Sequence, residues 1–266
     1  MKVNKRLKGK NIVITGASGG IGEQMALKAA QNGANIALLA RREPNLLAIQ
    51  HRIEQQFSVR VLVFSVDISK RAEVEKAFTA IFSKLGSVDV LVNNAGFGVF
   101  DEAHQASWKD IEGMFQVNVL GLISCTQFVI PHMKERGSGH IINIASQAGK
   151  LATPKSSVYA ATKHAVLGFT NSVRMELSRD GIYVTAVNPG PIATNFFEIA
   201  DQSGSYVKSI QKLMLDPEKV ASTITKAMFT NKREINLPKW MNVGSVLYAL
   251  FPRMVERVGK KAFFKK

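Results

Sequence analysis

In the stretch "SSVYAATKHAV", Tyr159 and Lys163 stand four residues apart in a helical pattern, which sets their side chains on one face, one turn from each other. An unperturbed phenol ionises near pH ~10, too high for acid–base work at neutral pH. A neighbouring ammonium favours the phenolate and lowers that value toward the range where general acid–base catalysis is efficient. Such a tyrosine can protonate a carbonyl oxygen as hydride reaches the carbon, or take the proton of an alcohol in reverse. A Tyr-x-x-x-Lys pair often arises by chance, so its surroundings decide. Ser146, in "INIASQAG", follows a strand pattern and offers a hydroxyl that can donate to the reacting oxygen as charge develops there. Asn118, in "MFQVNVLG", lies mid-helix, where Asn is a poor helix former. It reads either as a hydrogen bond to a buried backbone group or as the holder of a water that relays protons to Lys163.

Something must bring these side chains together. The apolar runs "NIVIT", "NIALLA", "VRVLVFSV", "VDVLVNNA", "HIINIAS", "IYVTAVN" and "REINLP" are separated by helical patterns such as "EQMALKAAQNG" and "KRAEVEKAFTAIFSKLG". The strands are continuously apolar rather than alternating, so both faces of the sheet are covered. This pattern predicts an α/β fold: a doubly wound parallel sheet of about seven strands with helices on both faces. No Ser/Pro/Gly-rich linker or charge block interrupts the pattern before about residue 195, so residues 1–266 read as a single domain. Such sheets bind ligands where loops leave the carboxyl ends of the strands.

The first of those loops is "TGASGGIG", between "NIVI" and a helix. Glycines there let the backbone turn tightly and approach a ligand, while the helix offers free N–H groups and a positive dipole end, a setting for phosphate. Close packing of the helix is the other reading of the same glycines. The second strand ends "LLARRE": Ala40 occupies the place where an acidic residue would hold a ribose hydroxyl of NAD, and Arg41 and Arg42 follow, one of which could accommodate the extra phosphate of NADP. A solvated arginine pair at a helix start is the alternative. Asp67, in "SVDIS", could cap the next helix or hold an adenine amino group. "NNAG" at 93–96 combines amides that can tie strands together with a glycine that permits close approach to a ring, and "NPGPIATN" offers a sharp exit and the hydroxyl of Thr194.

The remaining composition excludes other chemistries. The chain has 266 residues, 46% hydrophobic and 21% charged, an ordinary globular balance. The five histidines show no ligand spacing and Cys125 is the single cysteine, so no metal site and no intrachain disulfide are expected, and Cys125 reads as a buried structural thiol. There is no G-x-S-x-G elbow. The basic start "MKVNKRLKGK" lacks an apolar h-region, so a cytoplasmic location is expected. "WMNVGSVLYALFP" at 240–252 is too short to span a bilayer. The net charge of +15 does not point to nucleic acid, because ten of the fifteen lie at the two ends: Lys2, Lys5, Arg6, Lys8 and Lys10, then Arg253, Arg257, Lys260, Lys261, Lys265 and Lys266 against Glu256. A weak attraction to anionic lipid or acidic partners fits that distribution better.

Taken together, "TGASGGIG", Asp67, "NNAG", Asn118, Ser146, "YAATK" and "NPG" occur in an order and spacing that resembles the short-chain dehydrogenase/reductase family over residues 9 to about 195. The resemblance implies a single Rossmann-type domain that uses NADP(H) to interconvert a carbonyl and an alcohol. It implies Tyr159 as the acid–base residue, Lys163 on the nicotinamide ribose, Ser146 orienting the substrate oxygen and Asn118 anchoring the relay water. It further implies Gly16, Ser18, Gly19 and Ile21 at the pyrophosphate, Arg41 at the adenosine phosphate, and Asp67 and Ile68 at the adenine. Asn93, Ala95 and Gly96 would border the adenosine ribose, with Pro189, Ile192 and Thr194 over the nicotinamide. One departure stands out: many NADP-using members carry a basic residue inside the glycine loop, where this chain has Gly19. A homodimer or homotetramer is also implied.

Substrate choice is expected from Phe97, Phe100 and Gln147 and from a lid region at about 191–220, where Phe196, Phe197, Ile210, Leu213 and Met214 read equally as a cover for an apolar carbonyl compound and as helix packing. The tail at about 239–266 is apolar and then basic, consistent with weak peripheral membrane contact, a second lid or a subunit interface. The reading from a different class is a dinucleotide-binding sensor or scaffold without catalysis.

Overall fold

The computed structural model describes residues 5–201 and 204–263. The chain runs β1 (Asn11–Thr15), α1 (Gly20–Gln31), β2 (Asn35–Ala40), α2 (Glu43–Gln56), β3 (Val61–Ser65) and α3 (Arg71–Leu85). It continues through β4 (Val90–Asn93), α4 (Trp108–Phe115), a π-helical segment Gln116–Gly121, α5 (Leu122–Glu135), β5 (Gly139–Ile144), α6 (Ser157–Glu176) and β6 (Ile182–Pro189). Then come α7 (Phe196–Ala200), α8 (Ser205–Ile210), α9 (Pro217–Ala227), β7 (Glu234–Leu237), α10 (Lys239–Leu250) and α11 (Pro252–Phe263).

All strand pairs are parallel and the order is β3-β2-β1-β4-β5-β6-β7. The continuous apolar strands have the expected cause: within β1, Ile12 and Ile14 face one core while Val13 faces the other, and all three are fully buried. The first core is closed by Met25 and Ala29 of α1, Leu46 and Ile53 of α2, and Ile224 of α9. The second is closed by Phe78 and Ile81 of α3, Val129 and Met133 of α5, and Val173 of α6. Cys125 lies inside that second core, and burial pushes its thiol up to about 12.

The strand order reverses between β1 and β4, where β2 lies on one side and β5 on the other. Loops leaving those two strands in opposite directions open a crevice at the carboxyl edge of the sheet.

His140 on β5 is fully buried between Thr185 and the 229 backbone. Its Nδ1 accepts the Phe229 N–H at 3.0 Å, so Nε2 carries the proton and faces the Thr185 hydroxyl at 2.9 Å. Burial lowers its pKa to about 3 from the usual 6.5. The unfolded chain therefore binds more protons between those two values, so this stability is complete above pH ~6.5 and is lost as pH falls, by on the order of 1 kcal/mol per unit. Thermal unfolding from pH 7 to pH 4 should show that slope, and the His140→Gln variant a flatter one; equal slopes would remove His140 as the cause.

Candidate active site

A cleft of about 820 Å³ lies along the carboxyl edge of the sheet, from the β2–α2 turn to α7 and α8. Sequence-expected residues that line it are Gly16, Ser18, Gly19, Ile21, Arg41, Asp67, Ile68, Ala95 and Gly96 toward one end. Phe97, Phe100, Ser146, Gln147, Tyr159, Lys163, Pro189, Ile192, Thr194, Phe196 and Phe197 line it toward the other.

The loop after β1 needs its glycines for contact with its neighbour. Gly16 sits at φ +64°, and a Cβ there would come within 2.7 Å of the Ala95 Cα. Asn94 fastens the two loops by donating from Nδ2 to the carbonyls of Thr15 and Gly16, at 2.9 and 3.1 Å. Gly96 serves the catalytic end: a Cβ there would lie 2.9 Å from Asn118 Oδ1 and 3.6 Å from Lys163 Nζ.

Tyr159 and Lys163 point from α6 into the cleft and Ser146 approaches from the end of β5. The Ser146 hydroxyl lies beside the Tyr159 hydroxyl, accepts the Ala148 N–H at 3.1 Å and reaches the Pro189 carbonyl at 3.5 Å. Lys163 Nζ donates to the Ile144 carbonyl at 2.9 Å and lies 5.7 Å from the centre of the tyrosine ring.

The electrostatics differ from the sequence expectation. The spacing of Tyr159 and Lys163 implied a lowered phenol pKa, yet burial raises Tyr159 to about 12, with only the Ser146 hydrogen bond opposing and Tyr206 adding to the rise. Burial also lowers Lys163 to about 8. The physical reason is that both groups are desolvated while the ammonium is held by a backbone carbonyl rather than by the phenol oxygen.

Asn118 sits in the π-helical segment between α4 and α5, a form frequent at functional sites. Its side chain lies off the cleft and is occupied at both ends: Oδ1 accepts the Phe97 N–H at 3.0 Å, and Nδ2 donates to the Phe97 carbonyl at 2.8 Å and the Thr162 hydroxyl at 3.1 Å. The side chain thus follows the reading of a hydrogen bond to buried backbone, and it positions Phe97.

Asn93 also departs from its implied place. It is the last residue of β4, buried and outside the cleft, and it donates to Thr126 and Asn143, both at 2.9 Å, thereby tying β4 to α5 and β5. Asn94 lines the cleft in its stead because successive strand residues point to opposite sides. That alternation was the available signal. Asp67 does not cap α3, whose N-cap is Lys70 without a side-chain bond. Its carboxylate instead accepts from the N–H and hydroxyl of Ser69 at 3.0 and 2.7 Å. Burial pushes that carboxyl up, but the Ser69 bonds with Arg41 and Lys70 hold it below its usual value.

At the opposite end, the absent basic residue of the glycine loop is replaced in space. The Arg42 guanidinium bonds the Ser18 hydroxyl at 3.1 Å and lies 3.7 Å from where a Gly19 side chain would begin. Arg41 stands beside it, exposed on the same wall.

Around Tyr159 the cleft is aromatic. Phe100 stands edge-on to Tyr159 with ring centres 6.0 Å apart, Phe196 lies at 5.6 Å, and Tyr206 meets Phe100 at 5.4 Å. The lid expectation divides: Phe196 and Phe197 reach the cleft, Ile210 and Met214 pack with Phe197 and Ala200 into a small core of their own, and Leu213 is exposed. Tyr206, within the lid region, and Met241, within the tail that also reads as a second lid, join the cleft although neither was singled out from the sequence.

The chain matches the family model described as short chain dehydrogenase over residues 10–203. An oxidoreductase of Staphylococcus epidermidis, itself uncharacterised, is 32% identical over 232 residues, covering 87% of this chain and 96% of that one. Among solved structures, the 3-ketoacyl-(acyl-carrier-protein) reductase of Brucella melitensis, complexed with NADH, is 32% identical with a TM-score of 0.78, covering 87% of this chain and 97% of the other. The L-sorbose reductase of Gluconobacter frateurii, complexed with NADPH and L-sorbose, is 27% identical with a TM-score of 0.78, covering 86% and 95%.

Proposed function

This chain belongs to the short-chain dehydrogenase family, and from that premise we propose that it is an NADP(H)-dependent oxidoreductase that interconverts a carbonyl and an alcohol on an apolar small molecule. The observation that carries the reading is the Ser146–Tyr159 hydroxyl pair, set in the same cleft as the glycine loop and backed by Lys163.

The residues fit a dinucleotide. Gly16 and Gly96 let the loops that line the cleft pack where a side chain would collide with Ala95 or Asn118, Ser18 and Gly19 precede the N-terminus of α1, and Arg41 and Arg42 stand beyond β2 where an adenosine phosphate would be met. A guanidinium bonds phosphate by charge-assisted contacts that a ribose hydroxyl cannot supply. Two similar structures hold NADH and NADPH respectively, so the choice of NADP rests on this arginine pair. When bound, the nicotinamide supplies or accepts the hydride. In reduction, Tyr159 would donate its proton to the substrate oxygen while Ser146 donates a second hydrogen bond, stabilising charge as it develops. Asn118 holds the Phe97 backbone in place, and Phe97, Phe100 and Phe196 exclude water and favour an apolar substrate.

A dinucleotide-binding sensor makes no use of the serine–tyrosine pair, and no feature of the cleft favours it. Assembly into a dimer or tetramer is part of the same reading; the exposed Trp108, Leu120 and Met175 give it apolar surface.

Calorimetric titration tests the cofactor end without a substrate. NADPH is expected to bind at least about tenfold tighter than NADH, and Arg41→Ala or Arg42→Ala to weaken NADPH by about tenfold to a hundredfold while sparing NADH. Equal or tighter binding of NADH would remove the phosphate reading, and binding of neither nucleotide would remove the enzymatic one.

A further inference from the structure

The two last helices carry a surface that the reading above does not use. On α10, Trp240, Val243, Val246, Leu247 and Leu250 recur at helical spacing on one side, and each is 41–65% exposed. The opposite side faces the body of the protein: Ser245 is buried, Asn242 accepts a hydrogen bond from Lys150 at 3.4 Å, and Met241 lines the cleft. The helix is therefore held by its more polar side and displays its apolar one, the reverse of a helix on a water-facing surface. The pattern continues through Phe251, between the two helices and 55% exposed, onto α11, where Met254 and Val258 are 53% and 82% exposed. Tyr248 and Glu256 join the two helices through a 3.2 Å hydrogen bond.

We propose that α10 and α11 dock this chain on an anionic lipid surface. Three features select lipid. The stripe on α10 contains no charge beyond Lys239 at its start, and a tryptophan closes one end, as at the boundary between headgroups and acyl chains. Arg253 and Arg257 are exposed on α11, and the sequence adds Lys260, Lys261, Lys265 and Lys266 against Glu256 alone. Anionic headgroups neutralise that excess while the acyl boundary receives the apolar side, a combination that an amphipathic helix lying in the interface plane requires. A second copy of the chain answers the apolar stripe but sets two tails of like charge against each other. At 12 residues neither helix can cross the bilayer, so contact is peripheral. Met241 belongs to α10 and to the cleft wall, so the docked face adjoins the active-site mouth.

The test is co-sedimentation of the full chain with sucrose-loaded vesicles of phosphatidylcholine alone or with about one third phosphatidylglycerol. Binding should be at least about tenfold stronger on the anionic vesicles and should fall steeply with added salt. The paired variants Val246→Asp/Leu250→Asp and Arg253→Glu/Arg257→Glu should each lose about tenfold of that binding while keeping the circular dichroism spectrum and the nucleotide titration of the unmodified protein. Absence of binding to anionic vesicles overturns the proposal, as does binding that both variants retain. A lower sedimentation coefficient for Val246→Asp/Leu250→Asp in lipid-free buffer would assign the surface to a second copy and overturn it equally. Because nucleotide binding is read separately, failure here leaves the enzymatic reading standing.

Discussion

Tyr159→Phe is expected to lower kcat for carbonyl reduction by about a hundredfold to ten thousandfold, the range that a positioned proton donor contributes. The substitution removes one oxygen from a ring that keeps its contacts with Phe100 and Phe196, so folding and NADPH affinity should change little. Because Ser146 remains, some stabilisation of the substrate oxygen persists and activity should not vanish completely. The pH profile adds a second readout. Burial holds the phenol at about 12, which keeps the proton in place for reduction across neutral pH, whereas alcohol oxidation needs the phenolate and should quicken as pH rises. Stopped-flow measurement of NADPH consumption in reduction and NADPH formation in oxidation decides: turnover within tenfold of the unmodified enzyme would mean that another group delivers the proton.

Gly96→Val should be nearly as damaging for a different reason. A Cβ at residue 96 meets Asn118 Oδ1 at 2.9 Å and Lys163 Nζ at 3.6 Å, and valine places two further carbons beyond it. The Asn118 clamp on Phe97 must shift, since both its hydrogen bonds to that backbone start from the displaced amide. Overpacking of this kind costs about 1–3 kcal/mol, and a misplacement of order 1 Å at reacting groups can reduce turnover about a hundredfold. The expected outcome is a fall of at least that size in kcat/KM with a few degrees of lost thermal stability. Gly96→Ala should fall between the two. Wild-type turnover in Gly96→Val would show that the loop has room the structure does not provide.

The sheet, its parallel sense and the rim on which the reactive residues gather were legible from residue types, because a strand buried on both faces carries apolar residues at successive positions rather than alternate ones, as Ile12, Val13 and Ile14 of β1 and Ile141 and Ile142 of β5 do. Ser146, Tyr159 and Lys163 were legible for the same reason: each follows a strand or repeats at helical spacing, and local geometry carries them to the rim. Where the chain alone misled, two local readings competed and distant atoms decided. Asn93 and Asn94 are chemically identical neighbours, and only the strand register turns the first toward Thr126 and the second toward the glycine loop. The missing base of the glycine loop was visible, but that Arg42 fills its place depends on how β2 lies beside β1.

The protonation of the tyrosine–lysine pair shows the division most sharply. Spacing determined that the two groups are neighbours and that the ammonium favours the phenolate. Only the tertiary structure decided that burial outweighs it, because desolvation depends on everything packed around a group, including Phe100, Phe196 and Tyr206. The same holds for the tail: its composition told that it is apolar and basic, whereas the apolar stripe of α10 faces outward because Met241, Asn242 and Ser245 on its other side face the body. By itself the sequence determined which residues lie close along the chain and which elements they build. Burial, register and side-chain direction are sums over contacts between distant segments, and those the tertiary structure alone decided.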